Sequence, residues 1–303
     1  MDGNAVAFKL TATRHDSVKS ISLNHMTQII DGRKLRDEIL ERVKKEIAIL
    51  SFQPVFCDVL VGDDSASKQY VEMKARTAEK VGIHFHRASF PETISTEDLI
   101  NEIKILNKIP NMCGLIVQLP LPASLDRTKI LNAIDPEIDV DCLGEVASDK
   151  FFNNQSNIGR PTAVSCMELL DSVKLDLKNK KILILGQGEL VGRPVTALMK
   201  FRGLNPEIAV RDTNNQEKLM KEADVIISGT GHGGLITGNK IKNGVVIIDA
   251  GTSKKDGKII GDVERDSVEG IASFVSPVPG GVGPMTVAVL LNNVLEIAKT
   301  RKE

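Results

Sequence analysis

The 303-residue chain has no tryptophan, one tyrosine (Tyr70) and nine phenylalanines, so its core must be aliphatic and its single phenol stands out. It has no excess of charge of either sign: 39 Lys and Arg against 40 Asp and Glu leave a net charge of −1. The basic residues are dispersed, which argues against a nucleic-acid or membrane surface. No apolar run approaches the roughly 18 residues that span a bilayer. The four cysteines, Cys57, Cys113, Cys142 and Cys166, form no C-x-x-C pair, which argues for reduced thiols in a cytoplasmic compartment. His84 and His86 share a face of an expected strand but lack a nearby third ligand, so no metal site is expected.

At roughly 150 residues per domain the chain holds about two domains. Residues 1–26 show no regular period and mix Lys9, Arg14 and Lys19 with Asp2 and Asp16. An import sequence would be richer in arginine and free of acid, so this segment is expected to be a disordered leader or extension, with Met26 a candidate start. From Thr27 the pattern alternates: helix 33–50, strand 55–61, helix 67–81, strand 84–89, helix 96–106, strand 114–118 and helix 128–134. This is βαβ rhythm and predicts an α/β fold with mainly parallel sheets. The Asn-rich stretch 151–160 is expected to be a linker, followed by helix 165–173 and strand 181–185. Later strands are expected over 207–210, 225–228 and 245–249 and near Ser273, with a closing helix over 285–299.

Chemistry-bearing residues gather at the ends of these strands. Ser67-Lys68-Gln69-Tyr70-Val71-Glu72-Met73-Lys74 opens the second helix, and at helical pitch Tyr70 and Lys74 lie on one face. A phenol and an ammonium so placed can hydrogen-bond one another and move protons, because burial eases deprotonation of the lysine. Taken alone, Y-x-x-x-K describes a solvated lysine beside a half-buried tyrosine. Gln118 ends a strand before Leu119-Pro120-Leu121-Pro122, where it can offer an amide to a polar heterocycle or bond its own loop. In Asp139-Val140-Asp141 one acid can contact substrate, or both can cap a turn.

In the second half, a buried strand runs into Gly186-Gln187-Gly188-Glu189-Leu190-Val191-Gly192-Arg193-Pro194. Glycines there allow a tight turn and close approach to a pyrophosphate, which a helix N-terminus favours. Asp212 ends the next strand, twenty-four residues beyond Gly188, where an acid accepts from ribose hydroxyls and repels a 2′-phosphate; it can equally cap a helix before Asn214. The turns Gly229-Thr230-Gly231 and Ala250-Gly251-Thr252 suit ribose and nicotinamide. Ser276-Pro277-Val278-Pro279-Gly280-Gly281-Val282-Gly283-Pro284-Met285-Thr286 is expected to be a shaped loop.

From Ile29 to the C-terminus these pieces, together with Ile30-Asp31-Gly32-Arg33 and Gly261-Asp262-Val263, resemble the methylenetetrahydrofolate dehydrogenase/cyclohydrolase family. The resemblance implies a folate-binding domain over 27–160, joined by the helix 285–303, and a Rossmann domain over 161–284, with the active cleft between them. It also implies a homodimer. It assigns catalysis to Lys74, Tyr70, Gln118 and Asp141, with Tyr70 stacked on the pterin, Gln118 supporting the lysine and Asp141 gripping the ring. Substrate would also meet Leu119, Pro279, Gly280, Gly283 and Pro284. NAD(P) would meet Gly186, Gln187, Gly188, Val191, Gly192, Arg193, Asp212, Gly229, Thr230, Gly251 and Thr252.

The chain departs from the family pattern at three places around the folate pocket. Ile138 replaces a basic residue, Cys142 a glycine, and Arg160-Pro161-Thr162-Ala163 a P-C-T-P segment. In the dinucleotide half, G-R-S reads Gly186-Gln187-Gly188, and a serine falls at Asp212. Losing an arginine and gaining a carboxylate both disfavour a 2′-phosphate, so NAD is expected over NADP. The expected activity is bifunctional oxidation and hydrolysis of folate one-carbon units. A dehydrogenase-only member and a non-catalytic dinucleotide-binding protein are the alternatives, and the loop 277–286 speaks against an unrelated Rossmann dehydrogenase of small acids.

Overall fold

A computed structural model describes residues 26–301 of the chain. All but one residue of the leader expected over 1–26 lies outside the described residues. In chain order the elements are β1 (Gln28–Ile29), α1 (Gly32–Ile47), β2 (Val55–Val61), α2 (Ser65–Lys80), β3 (His84–Phe90), α3 (Thr96–Leu106), β4 (Met112–Val117), α4 (Arg127–Asn132) and α5 (Glu145–Phe152). There follow α6 (Pro161–Ser172), β5 (Ile182–Leu185), α7 (Gly192–Phe201), β6 (Glu207–Ala209), α8 (Gln216–Glu222), β7 (Val225–Ser228) and β8 (Val246–Asp249). The hairpin β9 (Ser253–Lys255) and β10 (Lys258–Ile260), then α9 (Arg265–Val268), β11 (Phe274–Val275) and α10 (Val282–Thr300) complete the chain.

Two parallel sheets result. A three-stranded sheet runs β3-β2-β4, and a six-stranded sheet runs β1-β11-β8-β7-β5-β6. Strand β2 is buried along its whole length, as a central parallel strand covered on both faces must be. Side chains of β5, β7 and β8 alternate between two cores. Ile182, Ile184, Val225, Ile227, Val246 and Ile248 join the large core that runs through both halves, while Leu183, Leu185, Ile226 and Ile247 join a smaller one on the other face.

The division of the chain differs from expectation at its start. β1 pairs in parallel with β11, Gln28 beside Phe274 and Ile29 beside Val275, so the segment that opens the expected folate domain belongs to the dinucleotide sheet. Thr27 secures it by donating to the Ala272 carbonyl at 2.8 Å and accepting from Gly270 N–H at 2.9 Å. Two residues are too few to show a strand period, which is why the sequence does not announce this pairing.

The stretch expected as a linker over 151–160 begins inside α5. Of that stretch only Phe151 and Phe152 belong to the helix, where Ala147 and Phe151 lie one turn apart on its buried face and Phe151 meets Phe152 and Phe201 edge-on; 153–160 is irregular as expected. The loop expected over 276–286 is also shorter than read: α10 starts at Val282, so Gly283 and Pro284 sit in its first turn. A proline there costs no hydrogen bond, because the first four helical N–H groups have no partner within the helix.

Helix α10 is buried along most of its length and returns to the first half, packing on α1, α6 and β4. It reaches β4 because Gly114 has no side chain: a Cβ there would lie 2.7 Å from Val294 Cγ2, 3.1 Å from Val140 Cγ1 and 3.3 Å from Phe56 Cδ2. Gly114→Val is therefore expected to lower the urea-unfolding free energy by about 1–3 kcal/mol through overpacking, whereas the same change at exposed, unobstructed Gly203 would act only through its positive φ.

Candidate active site

The site begins at the carboxyl end of the three-stranded sheet. Asp64 caps α2 by accepting from Ser67 N–H at 2.7 Å, which sets the phase that places Tyr70 and Lys74 over the end of β4. Lys74 is 2 % exposed; its Nζ lies 2.5 Å from Asp58 Oδ2 and donates to Gln118 Oε1 at 2.8 Å. Tyr70 does not hydrogen-bond the lysine as expected: its ring centre lies 5.0 Å from Nζ, in a cation–π contact. Burial pushes the Tyr70 phenol up to about 12, with Asp141 and Asp58 adding to the shift, so the phenol stays protonated.

Gln118 bonds its own loop and also supports the lysine. While Oε1 accepts from Lys74, Nε2 donates to its neighbour's carbonyl, Leu119 O, at 2.6 Å. One bond at each end of the amide holds the lysine and the loop, and leaves one N–H and one lone pair of Gln118 at the cavity wall.

The two acids of Asp139-Val140-Asp141 divide the two roles read for them. Asp139 is 1 % exposed and accepts from Leu143 and Gly144 N–H at 3.0 and 2.8 Å, pinning the turn; burial pushes it up to about 6 against those bonds. Asp141 lines the cavity instead, and burial pushes it up to about 7, opposed by Lys74 and reinforced by Asp139 and Asp58. Cys142 follows at φ +54, a left-handed conformation that costs a non-glycine residue roughly 1–2 kcal/mol. Its thiol is buried and pushed up by desolvation, which makes it an inert packing group.

Together Tyr70, Lys74, Gln118, Leu119 and Asp141 line a cavity of about 200 Å³, closed by Leu143, Arg160, Pro161 and Thr162, by Leu190 of the glycine turn, and by Thr286 and Leu290 of α10. Pro279, Gly280, Gly283 and Pro284 are not part of that wall. Their segment instead meets the start of α1, where Gly32 leaves room for the Gly281 carbonyl. Asp58, Leu143 and Leu290 are among the residues at the site that sequence reasoning did not place there. Asp58 alone carried a signal, a carboxylate within an otherwise apolar strand.

Arg160 bridges the two halves. It donates through Nη1 to Glu189 O and through Nη2 to Ser148 Oγ, both at 2.9 Å, and its guanidinium lies 5.2 Å from the Phe152 ring centre. Glu189 in turn pairs with Arg127 of α4 at 2.8 Å.

The dinucleotide residues meet at the carboxyl edge of the larger sheet. β5, β7 and β8 are neighbours, so Gly186 to Gly192, Gly229-Thr230 and Gly251-Thr252 form one rim. Gly192 passes so close to Gly186 that a Cβ would lie 2.0 Å from its carbonyl oxygen, while a Cβ on Gly188 would meet nothing within 4 Å. The turn is thus packed beneath and open above. α7 starts there with no side-chain cap, leaving N–H groups free for a pyrophosphate. Gln187 donates to Gly186 O and Thr196 Oγ1 at 3.0 and 3.1 Å, and Arg193 N–H to Gly188 O at 3.2 Å, which fix the loop. Thr230 N–H donates to Asp262 at 2.8 Å, and Gly251 leaves space for the same carboxylate. Asp212 is exposed beyond β6; it does not cap α8, whose cap position is Asn215.

Comparison with known proteins gives a consistent result. The model of the tetrahydrofolate dehydrogenase/cyclohydrolase catalytic domain matches residues 30–141, and that of the corresponding NAD(P)-binding domain matches residues 160–302. The chain is 39% identical to Bifunctional protein FolD of Nautilia profundicola over 275 residues, which cover 89% of this chain and 97% of that one. The crystal structure of the bifunctional enzyme FolD from Campylobacter jejuni aligns with a TM-score of 0.87 at 32% identity, covering 91% of this chain and 100% of that one. The Trypanosoma brucei enzyme, complexed with NADP cofactor and inhibitor, aligns with a TM-score of 0.85 at 31% identity, covering 91% and 98%. Among the described residues no helix is long and apolar enough to cross a membrane.

The raised carboxyl of Asp141 gives a test of the site's electrostatics. A group held above its unfolded value stabilises the fold only while protonated, so this contribution is complete below about pH 4 and lost as pH rises towards 7. Asp141→Asn removes the titration. In urea unfolding its stability relative to the parent is expected to be higher at pH 8 than at pH 5; an equal difference at both would contradict the assignment.

Proposed function

Because the chain belongs to the tetrahydrofolate dehydrogenase/cyclohydrolase family, we propose that it is a bifunctional enzyme. It oxidises 5,10-methylenetetrahydrofolate to the 5,10-methenyl form with NAD(P) and hydrolyses that product to 10-formyltetrahydrofolate. The observation that carries this reading is the position of Lys74. Its ammonium lies in the cavity wall with Tyr70 and Asp141, and Leu190 of the open glycine turn faces the same space.

The rim of β5, β7 and β8 has the shape that a dinucleotide needs, and bound NAD(P) supplies the hydride acceptor. The oxidation asks the protein chiefly for positioning: Tyr70 offers a ring face to the pterin, Asp141 a carboxylate to its polar edge, and Leu119, Leu143 and Leu290 exclude water. Hydrolysis of the methenyl cation needs an oriented water and a route for its proton. Lys74, held from below by Asp58 and Gln118, presents a donor to that water, and Asp141 stands as the nearby acceptor. Lys74→Met is expected to lower the rate of methenyl hydrolysis by about 10²–10⁴-fold, the span of a lost proton-transfer group. Full retention of hydrolysis would remove the lysine from this role.

NAD is the preferred cofactor in this reading. Asp212 places an exposed carboxylate where the adenosine ribose is expected, and Gln187 stands where an arginine would pair a 2′-phosphate. Comparing kcat/KM for NAD and NADP tests this, and Asp212→Ser with Gln187→Arg is expected to raise NADP use at least about tenfold. A strong NADP preference in the parent would show the reading of Asp212 to be wrong. The chain is also proposed to act as a homodimer. Ile208 and Val210 lie exposed on or beside β6, the outer strand of the larger sheet, and light scattering gives the oligomeric state.

A further inference from the structure

Every residue of β2 except Asp58 is apolar, and Asp58 is itself 1 % exposed. Apart from the ion pair with Lys74 at 2.5 Å, neither of its carboxylate oxygens has a hydrogen-bond partner. Packing does not call for it, since a buried pair recovers in attraction no more than it loses in hydration and an apolar side chain of that size would serve the sheet as well. What the carboxylate does is local to the lysine. An ammonium has three hydrogens: one faces Asp58, one is donated to Gln118 Oε1 at 2.8 Å, and Gln118 is itself tied to Leu119 O. The third is left for the cavity that Tyr70 and Asp141 also line.

We propose that Asp58 is a positioning residue for the hydrolytic half of the reaction: it orients Lys74 with one N–H towards the cavity and cancels the lysine's charge beneath a cationic substrate. An isolated ammonium would repel a methenyl cation, whereas the ammonium–carboxylate pair is neutral and still donates. The charged and titratable groups around Lys74 are Asp58 from β2, Asp141 from the turn beyond β4 and Tyr70 from its own helix; Arg160 acts on Asp141, and α10 contributes only Thr286 and Leu290 to this wall. Among these only Asp58 forms an ion pair with Lys74.

This inference rests on the bifunctional reading, and one set of assays separates the two. Methenyl hydrolysis, corrected for the spontaneous reaction, and methylene oxidation are followed against pH for the parent, Asp58→Asn, Lys74→Met and the double variant. Asp58→Asn is expected to lower hydrolysis relative to oxidation at least about tenfold, and to move the alkaline limb of the hydrolysis profile to lower pH, because an ammonium without its counter-charge releases its proton more readily. In the Lys74→Met background the same change should add nothing to the loss, as required if Asp58 acts through the lysine. A purely structural role would lower both activities together and leave the limb in place, and that result overturns the proposal. If Asp58→Asn does not fold, the ¹⁵N resonance of Lys74 Nζ in the parent decides: an ammonium at pH 8 supports the pair, and a neutral amine overturns it. A parent that lacks methenyl hydrolysis would overturn the bifunctional reading and this inference with it, whereas an active parent with an unshifted Asp58→Asn profile overturns the inference alone.

Discussion

The site depends on two hydrogen bonds made by one buried amide. Asn293, in the middle of α10, donates to Val140 O at 2.9 Å and to Gly159 O at 2.8 Å. Val140 precedes Asp141 and Gly159 precedes Arg160, so one side chain fixes both ends of the segment that carries α5 and walls the cavity. Removing the amide would orphan two carbonyls, at roughly 1–3 kcal/mol for each one left buried without a partner. The amide reaches both only because α10 lies tight against β4, which the absent side chain of Gly114 allows. The closing helix is therefore less an appendage of the first half than the part against which its pocket is assembled.

Around that frame the environment gives three neighbouring carboxylates three different jobs. Asp139 is used up by backbone N–H groups and holds a turn. Asp58 is used up by Lys74. Asp141 has no such direct donor, and burial raises it to about 7 despite the pull of the lysine. Of the three, Asp141 alone lines the cavity, where a carboxyl raised to about 7 can accept or release a proton beside the substrate. The D-x-D spacing thus yields one structural and one chemical residue, because the N–H groups of the turn that follows claim Asp139 and leave Asp141 to the cavity.

Much of the fold was legible because its signals are periodic. The bounds of β2, α3 and β7 agree with the apolar and amphipathic patterns residue for residue. Where the sequence misled, the cause was a contact distant along the chain. β1 is too short to carry a period and is defined by its pairing with β11. α5 is defined by Phe151 packing on Phe201, fifty residues away in sequence. In the site, Tyr70, Lys74, Gln118 and Asp141 were readable as residue types at strand and helix ends, but their geometry was not. Helical spacing put Tyr70 beside Lys74 without telling a hydrogen bond from a ring contact, and no local pattern linked Asp58 on a strand to a lysine on the following helix. Arg160 was visible only as a departure from the family pattern, with nothing to show that it spans the two halves.

That span bears on how the two halves share work. Arg160 holds the Glu189 carbonyl, and Arg127 holds the Glu189 side chain, so the glycine turn of the dinucleotide half is anchored twice to the folate half. Leu190, the next residue, lines the Lys74 cavity, and Val191 and Gly192 lead into α7, the proposed pyrophosphate site. Within four residues the chain passes from one site to the other. A shift of the turn therefore cannot stay on the cofactor side: it moves the cavity wall and strains the guanidinium, whose own anchor, Ser148, lies in α5. Because Asn293 fixes the residue before Arg160, the strain is resisted rather than absorbed. On the proposed function, the reacting carbon and the hydride acceptor would be located by one connected set of contacts, which is what a transfer that relies on positioning requires.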